Sequence, residues 1–222
     1  MRRMNTARML AATCLLVLIG GGADAFDETH LAGLLADNQC RGCDLSGADL
    51  ARATLIGADL AGANLAGANL ARVNLWRADL SGANLTGADL TGANLRDSDL
   101  GGADLSGAIL TGANLKYARL SHAVLRDARL DRANLLRADL TGADLGGADL
   151  TGAYLAGADL RNAVVAEARM QNATLSDANL EHLDLTGLDL ASTNLRNARL
   201  GGAVFCRTQT AWGQEDSGCP DG

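Results

Sequence analysis

Four cysteines are the residues of this chain best suited to chemistry, and two of them form the motif Cys40-x-x-Cys43. Such a motif can serve as a redox pair, but no thioredoxin-like βαβ pattern surrounds this one. Haem attachment is excluded because Asp44 stands where that motif requires histidine. We therefore interpret Cys40 and Cys43 as a structural disulfide.

The other two cysteines, Cys206 and Cys219, lie at the far end of the repeats described below, so we expect no metal site shared by all four. His122 and His182 are 60 residues apart. In the stack of 20-residue coils described below, this separation is three coils or about 14 Å, which is too far for the two side chains to share a metal or a proton. No Ser/His/Asp or Cys/His arrangement is indicated. The sequence thus predicts no catalytic residue, no cofactor, no metal site and no enzymatic activity.

The first 25 residues have the pattern of a secretory signal peptide. Three arginines are followed by an apolar stretch too short to span a bilayer, and Ala-Asp-Ala then supplies a cleavage site. We expect cleavage between Ala25 and Phe26, export to the periplasm or the medium, and no membrane span afterwards. The even number of remaining cysteines in an exported chain implies disulfides.

Charge and composition narrow the function further. Removing the signal peptide takes away three arginines and one aspartate, so the formal charge changes from −7 to about −9. A chain this acidic has no general attraction for nucleic acid, and we expect none as a partner. Hydrophobic residues make up 48% of the sequence but aromatic residues only 3%. A core without aromatic rings must be built from many small identical pieces.

Those pieces are repeats of five residues. A large apolar residue occupies every fifth position from Leu45 to Phe205, and it is leucine in 30 of 33 cases. Two residues earlier lies a companion column that is alanine in 27 cases, and the residue between is Asp or Asn in 22. Glycine stands two residues after the leucine in 16 cases. The consensus is Ala-Asp/Asn-Leu-x-Gly.

A period of five fits neither a helix nor a flat strand. On an α-helix successive leucines would be ~140° apart, and on a strand alternate leucines would point to opposite sides. All of them can point inward only if the chain turns a corner every five residues, and Gly, Asn and Asp tolerate the positive φ of a tight corner. Four corners close a square, so one coil takes about 20 residues and stacks on the next.

From Cys43 to Phe205 the sequence resembles the pentapeptide-repeat family. The resemblance implies an all-β fold, a right-handed quadrilateral β-helix, here of about eight coils. Leucine would lie at the centre of each face, with the companion alanine also pointing inward. Departures from alanine should widen or distort the coils, most of all at the consecutive positions Leu183 and Leu188. The departures are Val73, Ser98, Leu183, Leu188 and Thr193.

The predicted organisation has four segments: a signal peptide (1–25), an N-terminal capping helix with the Cys-x-x-Cys motif (26–42), the β-helix (43–205) and a tail (206–222). The capping helix is indicated by leucines at helical spacing after Asp27. The tail resembles the cysteine-closed tails of exported family members, which implies a Cys206–Cys219 disulfide over the last coil.

Residues 20 apart should form columns along the outside. Stacked asparagines can hydrogen-bond from coil to coil, a structural role, and stacked carboxylates could take a divalent cation, although nothing in the spacing demands one. The Asn column contains Thr54, Asn74, Asn94, Asn114, Asn134, Tyr154, Thr174 and Asn194. The Asp column contains Asp59, Asp79, Asp99, Arg119, Asp139, Asp159, Asn179 and Arg199.

Beside the Asn column we predict an outward-facing interaction patch of aromatic, apolar and basic side chains. The alternative is that these are ordinary single exposed residues. The predicted function is an exported, non-catalytic scaffold, a rigid rod that binds an unidentified protein rather than a small-molecule substrate. The patch residues are Trp76, Arg77, Arg96, Lys116, Tyr117, Leu136 and Arg137.

The family resemblance also implies an alternative function. Some members mimic DNA, bind type II topoisomerases and protect them from quinolones, using an acidic rod that is usually dimerised through a C-terminal helix. The acidic charge fits this alternative. The export signal, the basic belt from Lys116 to Arg137 and the short cysteine-closed tail oppose it.

Overall fold

The computed structural model describes residues 27–219. The predicted signal peptide and its cleavage site between Ala25 and Phe26 lie outside the described residues. Helix α1 spans Glu28–Asp37 and precedes the repeats. Within residues 27–219, no helix reaches the length and hydropathy that a membrane crossing requires.

Helix α1 is defined by caps at both ends. Asp27 accepts a hydrogen bond from the Thr29 backbone N–H at 2.8 Å, which satisfies a free donor of the first turn. Asn38 ends the helix in the left-handed conformation and donates its backbone N–H to the Leu34 carbonyl. Leu34 is fully buried and joins the core of the repeats, so the helix covers their N-terminal end.

The repeats stack through parallel pairing of residues that are 20 positions apart. Asn74 pairs with Asn94, for example, and Asn94 with Asn114. In each pairing the following leucine donates forward, as Leu75 does to the Asn94 carbonyl at 2.8 Å, and Asn94 donates back to the Val73 carbonyl at 2.9 Å. Four pentapeptides therefore make one layer, and the stacked layers form a β-helical solenoid.

Regular strands are few in this solenoid because each face contributes a single bridged residue between two corners. The described residues contain three strands, β1 (Asp189–Leu190), β2 (Thr208–Thr210) and β3 (Gly213–Glu215). Strand β2 runs parallel to β1, with Asp189 opposite Gln209, and antiparallel to β3. The hairpin of β2 and β3 therefore continues the stack at its C-terminal end.

The corners follow one pattern, with the corner at Ser192 as an exception, and the Asp or Asn of the consensus holds the corner where it is present. The second residue after the leucine has positive φ, 65° at Gly107 and 61° at Tyr117, which is the reason for the glycine preference. Before the corner, the Asp104 carboxylate accepts the backbone N–H of Ser106, two residues on, at 2.9 Å. This is an Asx turn, which caps the bend locally.

The core is two inward columns, leucine and alanine, over the whole array. Leu100 and Ala103 are typical, with no exposed surface. Burying a leucine side chain contributes roughly 1.5–3 kcal/mol, so a core of many leucines needs no aromatic ring. Alanine beside each leucine leaves room for the leucines of the other faces.

The backbone ladder is interrupted on two adjacent faces, between residues 163–170 and 183–190. One layer earlier the Leu145 N–H bonds to the Val164 carbonyl at 2.7 Å. Among the described residues the equivalent bonds from Val165 and Met170 are missing, whereas pairing persists on the other two faces.

Leu183 and Leu188 explain the interruption. The sequence predicts the largest irregularity at these two positions, because leucine replaces alanine there in the companion column. Both leucines are buried on the two affected faces, in positions where other layers carry alanine. Their larger side chains widen the layer, so its backbone no longer registers with the one before. Ala163 and Ala168, on the narrow side, keep 8% and 6% of their surface exposed.

The prediction that Val73 and Ser98 distort their layers is wrong. Both are buried, and the bond from Asn94 to the Val73 carbonyl and that from Arg119 to the Ser98 carbonyl are in place at 2.9 Å. Valine adds little volume to alanine, and the Ser98 hydroxyl donates to the Leu95 carbonyl at 2.6 Å within its own corner. Small residues are therefore tolerated where leucine is not.

Two disulfides close the ends of the array. Cys40 is bonded to Cys43 just after α1, with the two Cα atoms 5.2 Å apart. Cys206 is bonded to Cys219, with the Cα atoms 4.6 Å apart, and this bond spans the β2–β3 hairpin. The Phe205 N–H bonds to the Ser217 carbonyl at 3.0 Å, which draws the tail back onto the last repeat.

Candidate functional site

The predicted patch lies along one corner of the solenoid, the corner that follows the Asn column. We call it the basic corner. It is formed by the two residues after each leucine of that column, at positions 56–57, 76–77, 96–97, 116–117, 136–137, 156–157, 176–177 and 196–197. The structure brings all seven predicted patch residues together here, on four successive layers.

Trp76 is half-buried rather than fully outward, because it reaches across to the next layer. Its indole N–H donates to the Asp97 carboxylate at 3.1 Å. The Arg96 Nε–H donates to the same carboxylate oxygen at 3.2 Å. The guanidinium of Arg77 lies over the indole, 4.7 Å from the ring centroid. Asp97 therefore joins two layers and holds the tryptophan in place.

Tyr117 is the second aromatic residue of the basic corner, and two cations approach its ring. The Lys116 ammonium is 5.0 Å from the ring centroid and the Arg96 guanidinium 5.8 Å. At exposed sites such a cation–π contact is worth about 0.5–1 kcal/mol. The contacts thus bring cations of two neighbouring layers together around one aromatic ring.

The basic corner differs in charge from the protein as a whole. It carries five basic residues and two acidic ones, Asp97 and Asp177, whereas the whole chain has a formal charge of −7. A local positive edge on an acidic protein selects partners by charge. The basic residues are Arg77, Arg96, Lys116, Arg137 and Arg196.

A groove of ≈ 420 Å³ continues the basic corner toward the C-terminus. It forms because Ala156 and Gly157 follow the larger pair Leu136 and Arg137, which leaves a step, while Tyr154 forms the flank. The groove is lined by Leu136, Arg137, Tyr154, Ala156, Gly157, Ser176 and Asp177.

Sequence reasoning missed this groove and one further apolar residue, Ile56. Ile56 lies at the basic corner one layer before Trp76 and is 40% exposed, and Tyr154 is 44% exposed. The 20-residue register of the sequence could have indicated both features. It places Ile56 in line with the patch, and it places Tyr154 in the Asn column next to the small residues Ala156 and Gly157.

The Asn column has the structural role expected of it. The Asn94 side-chain amide donates to the Asn74 side-chain oxygen at 2.9 Å, and Asn114 does the same to Asn94 at 3.3 Å. Each asparagine oxygen also accepts the backbone N–H two residues later, as Asn74 does from Trp76 at 3.3 Å. These bonds fix the backbone immediately before the basic corner.

The Asp column is occupied by turn caps and ion pairs. Hydrogen bonds from Ser81 lower the pKa of Asp79, and the side-chain hydrogen bonds from Arg161 lower the pKa of Asp159. Asp99 pairs with Arg119 of the next layer at 2.9 Å. Within residues 27–219, no group of three or more His, Cys, Asp or Glu side chains is arranged to hold a metal ion.

His122 and His182, which share a column, each lie over a glycine of the following layer. A Cβ atom on Gly142 would meet the His122 Nδ1 at 2.6 Å, and a Cβ atom on Gly202 would likewise meet the His182 Nδ1. Glycine there makes room for the imidazole ring. Both histidines are therefore packed against corners of the array.

Comparison with known proteins agrees with this geometry. A family model described as pentapeptide repeats matches in eight copies. The chain belongs to the pentapeptide-repeat family. The matched segments are residues 39–70, 68–107, 88–127, 108–147, 118–155, 143–181, 153–190 and 168–208.

Several solved pentapeptide-repeat structures are similar to the chain. HetL from the cyanobacterium Nostoc sp. strain PCC 7120, which is involved in heterocyst differentiation regulation, is 33% identical over 79% of this chain and 86% of its own, with a TM-score of 0.40. A pentapeptide repeat protein from the Arabidopsis thaliana thylakoid lumen is 32% identical over 60% of this chain and 74% of its own, with a TM-score of 0.34.

QnrB1, a plasmid-mediated fluoroquinolone resistance protein, is 23% identical over 66% of this chain and 72% of its own, with a TM-score of 0.44. No protein of curated function matches the chain.

Proposed function

We propose that this pentapeptide-repeat protein is an exported, non-catalytic scaffold, a rigid right-handed four-sided β-helix of about eight coils that binds a partner protein through its basic corner. The observation that carries the proposal is the ordered cluster of Trp76, Arg77, Arg96 and Tyr117, held by Asp97. Tryptophan, tyrosine and arginine are the residues most enriched at the energetic centres of protein interfaces.

Export is supported by the disulfides and by the N-terminal sequence. Cys40–Cys43 and Cys206–Cys219 persist in an oxidising compartment and would be reduced in the cytosol of most organisms. The basic and then apolar start of the chain, with its site between Ala25 and Phe26, supplies the route.

A non-catalytic role is supported by what the polar side chains do. The aspartates and asparagines that directly precede a repeat leucine are the most regular polar groups of the surface, and each accepts the backbone N–H of its own corner, as Asp79, Asp99 and Asn94 do. Groups used in this way hold the backbone and are not poised for proton transfer.

Export is tested by fractionating cells that express the full-length protein and by measuring the intact mass of the product without reductant. We expect a chain that begins at Phe26, is about four hydrogens lighter than its reduced form, and lies outside the cytoplasm. A full-length, reduced and cytoplasmic chain would overturn the export part of the proposal.

Partner binding is tested with a triple variant of the basic corner, Trp76→Ala with Tyr117→Ala and Leu136→Ala. The immobilised mature protein is exposed to periplasmic extract or medium, and bound proteins are identified by mass spectrometry. We expect a bound protein that is lost with the triple variant. Unchanged capture by a variant that unfolds like the wild type would show that the basic corner is the wrong surface.

The matched control changes the corner that lies two faces away along the chain, by Thr86→Ala, Arg126→Ala and Asp127→Ala, which like the triple variant alters two first corner positions and one second position. These residues occupy corner positions equivalent to those of the basic corner. The control should therefore perturb the corners equally and leave capture intact.

A further inference from the structure

The groove at the end of the basic corner has the features of a pocket for a single side chain. One wall is the Leu136 side chain, the other is the Tyr154 ring, and the floor is Ala156, which is 7% exposed. Its volume of ≈ 420 Å³ lies in the lower part of the range of ~300–1,000 Å³ for ligand pockets. An aromatic or leucine side chain, with the backbone that carries it, suits this space.

Arg137 gives the groove a charged rim. Its Cγ lies 3.2 Å from the position that a Cβ atom on Gly157 would take, so the side chain runs over the glycine and along the groove. Asp177, at the other end, accepts a hydrogen bond from the Asn197 side chain at 3.2 Å and is therefore partly satisfied within the protein. The groove lining therefore carries one charge of each sign, Arg137 and Asp177.

The approach to the groove is positive and has a regular spacing. Arg77, Arg96 and Lys116 contribute one cation per layer in the layers before Arg137, and of these Arg96 is already paired with Asp97 at 3.2 Å. Stacked layers are ~4.8 Å apart, and an extended peptide in the polyproline II conformation rises ~3.1 Å per residue with about three residues per turn, so every third side chain faces the same way and recurs after about two layers. Acidic residues at every third position of such a peptide would meet a cation at every second layer.

We propose that the groove takes a large apolar side chain of an extended, acidic segment of the partner protein, whose carboxylates lie against Arg77 and Lys116. This inference rests on the proposed function, since it names the chemistry of the segment that the basic corner binds. Charge complementarity selects the segment, and the groove fixes its register.

The test uses synthetic peptides and the mature, disulfide-bonded protein. A fluorescein-labelled peptide, Glu-Ser-Ser-Glu-Ser-Ser-Phe, is compared by fluorescence anisotropy with the same peptide ending in Ala and with one carrying Lys in place of Glu, each also in reversed order. We expect the Phe peptide to bind about tenfold more tightly than the Ala peptide and the Lys peptide not to bind.

Two variants separate the groove from the rest of the corner. Ala156→Trp fills the groove with a residue that the equivalent position already holds at Trp76, so the fold accommodates it. It should remove the preference for Phe. Ala66→Trp makes the same change two corners away and should leave the preference unchanged.

Three results would overturn the inference. If the Phe and Ala peptides bind equally well and Arg77→Glu with Lys116→Glu abolishes both, the corner binds acidic segments without a groove, and the proposed function stands. If the Lys peptide binds as well as the Glu peptide, the occupant is not acidic. If no peptide binds up to about 1 mM, the segment has another chemistry, and partner capture decides the proposed function independently.

Discussion

The hydroxyl of Thr193 donates a hydrogen bond to the carbonyl oxygen of Met170 at 2.8 Å, across the break in the backbone ladder. Thr208 makes the equivalent contact with the Leu185 carbonyl, at 2.9 Å, three faces closer to the C-terminus. Both threonines occupy the companion column and are buried. Near the break, side-chain bonds between layers therefore supplement backbone bonds.

The contribution of this bond can be measured by Thr193→Ala. Alanine is the consensus residue and fits the column, so the main loss is one buried hydrogen bond, worth about 1 kcal/mol. We expect the free energy of unfolding in guanidinium chloride to fall by about that amount. Thr193→Ser keeps the hydroxyl and should lose less, and equal losses for both variants would contradict the role of the bond.

Amide hydrogen exchange should detect the break directly. The N–H groups of Val165 and Glu167 have no hydrogen-bond partner among the described residues, whereas those of Leu145 and Gly147, one layer earlier, are bonded at 2.7 and 2.9 Å. Amides without a bonded partner exchange without an opening step. We expect much faster exchange at Val165 and Glu167, and similar protection of the two pairs would mean that the ladder is continuous in solution.

Restoring the consensus at the wide layer should be unusually well tolerated. A buried Leu→Ala change normally costs about 2–5 kcal/mol because it leaves a cavity. In the double variant Leu183→Ala with Leu188→Ala, the layer can narrow and regain its bonds to the preceding layer. We expect the double variant to lose less free energy of unfolding than the single variant Leu105→Ala, which changes a regular layer, when both are measured by chemical unfolding. The Val165 amide should also become protected from hydrogen exchange. A destabilisation as large as that of two separate Leu→Ala cavities would contradict the view that Leu183 and Leu188 widen this layer.

The two disulfides should differ in their contributions to stability. In the chain-entropy estimate, a bond that closes a longer loop restricts the unfolded chain more, which gives about 3 kcal/mol for Cys206–Cys219 and about 2 kcal/mol for Cys40–Cys43. We expect the serine double variant of the C-terminal pair to lower the midpoint of unfolding more than that of the N-terminal pair. The reverse order would show that the N-terminal cap controls unfolding.

Acid should destabilise the protein through the corner carboxylates. Hydrogen bonds from Ser81 and from Thr186 lower the pKa values of Asp79 and Asp184 in the folded protein. A lowered folded pKa stabilises the fold above the unfolded pKa of about 3.9, and this contribution is lost as the pH falls through the folded value. We expect stability to drop below about pH 4.

The variant Asp79→Asn tests this origin of the acid sensitivity. Asparagine still accepts the corner N–H, as Asn74 does, so the fold at pH 7 should be nearly unchanged. Between pH 5 and pH 3 the free energy of unfolding, measured by denaturant titration at each pH, should fall less in this variant than in the wild type. An unchanged loss would place the acid sensitivity elsewhere.

The columns and the weak layer could be predicted because each depends on one residue type at a fixed spacing. Leu183 and Leu188 are too large for positions that alanine fills, and that conflict is visible in the sequence. The role of Asp104 and its equivalents was not predicted, because a carboxylate that caps its own corner looks like an exposed charge until the backbone φ and ψ are known.

Two features of the candidate site required coordinates for a different reason. The contact of Trp76 with Asp97 and the groove below Arg137 depend on side-chain rotamers in neighbouring layers. Spacing places these residues on one edge, but it does not say which side chain crosses to the next layer or where a small residue leaves a step.

The basic corner carries isoleucine, tryptophan, arginine, lysine, leucine, alanine and serine at one equivalent position in successive layers, and the bonded pairing of the backbone runs through all of them. The side chain at this position is therefore decoupled from folding. Because layers repeat at ~4.8 Å, an engineered chain could display chosen functional groups along this edge at regular, known distances from one another.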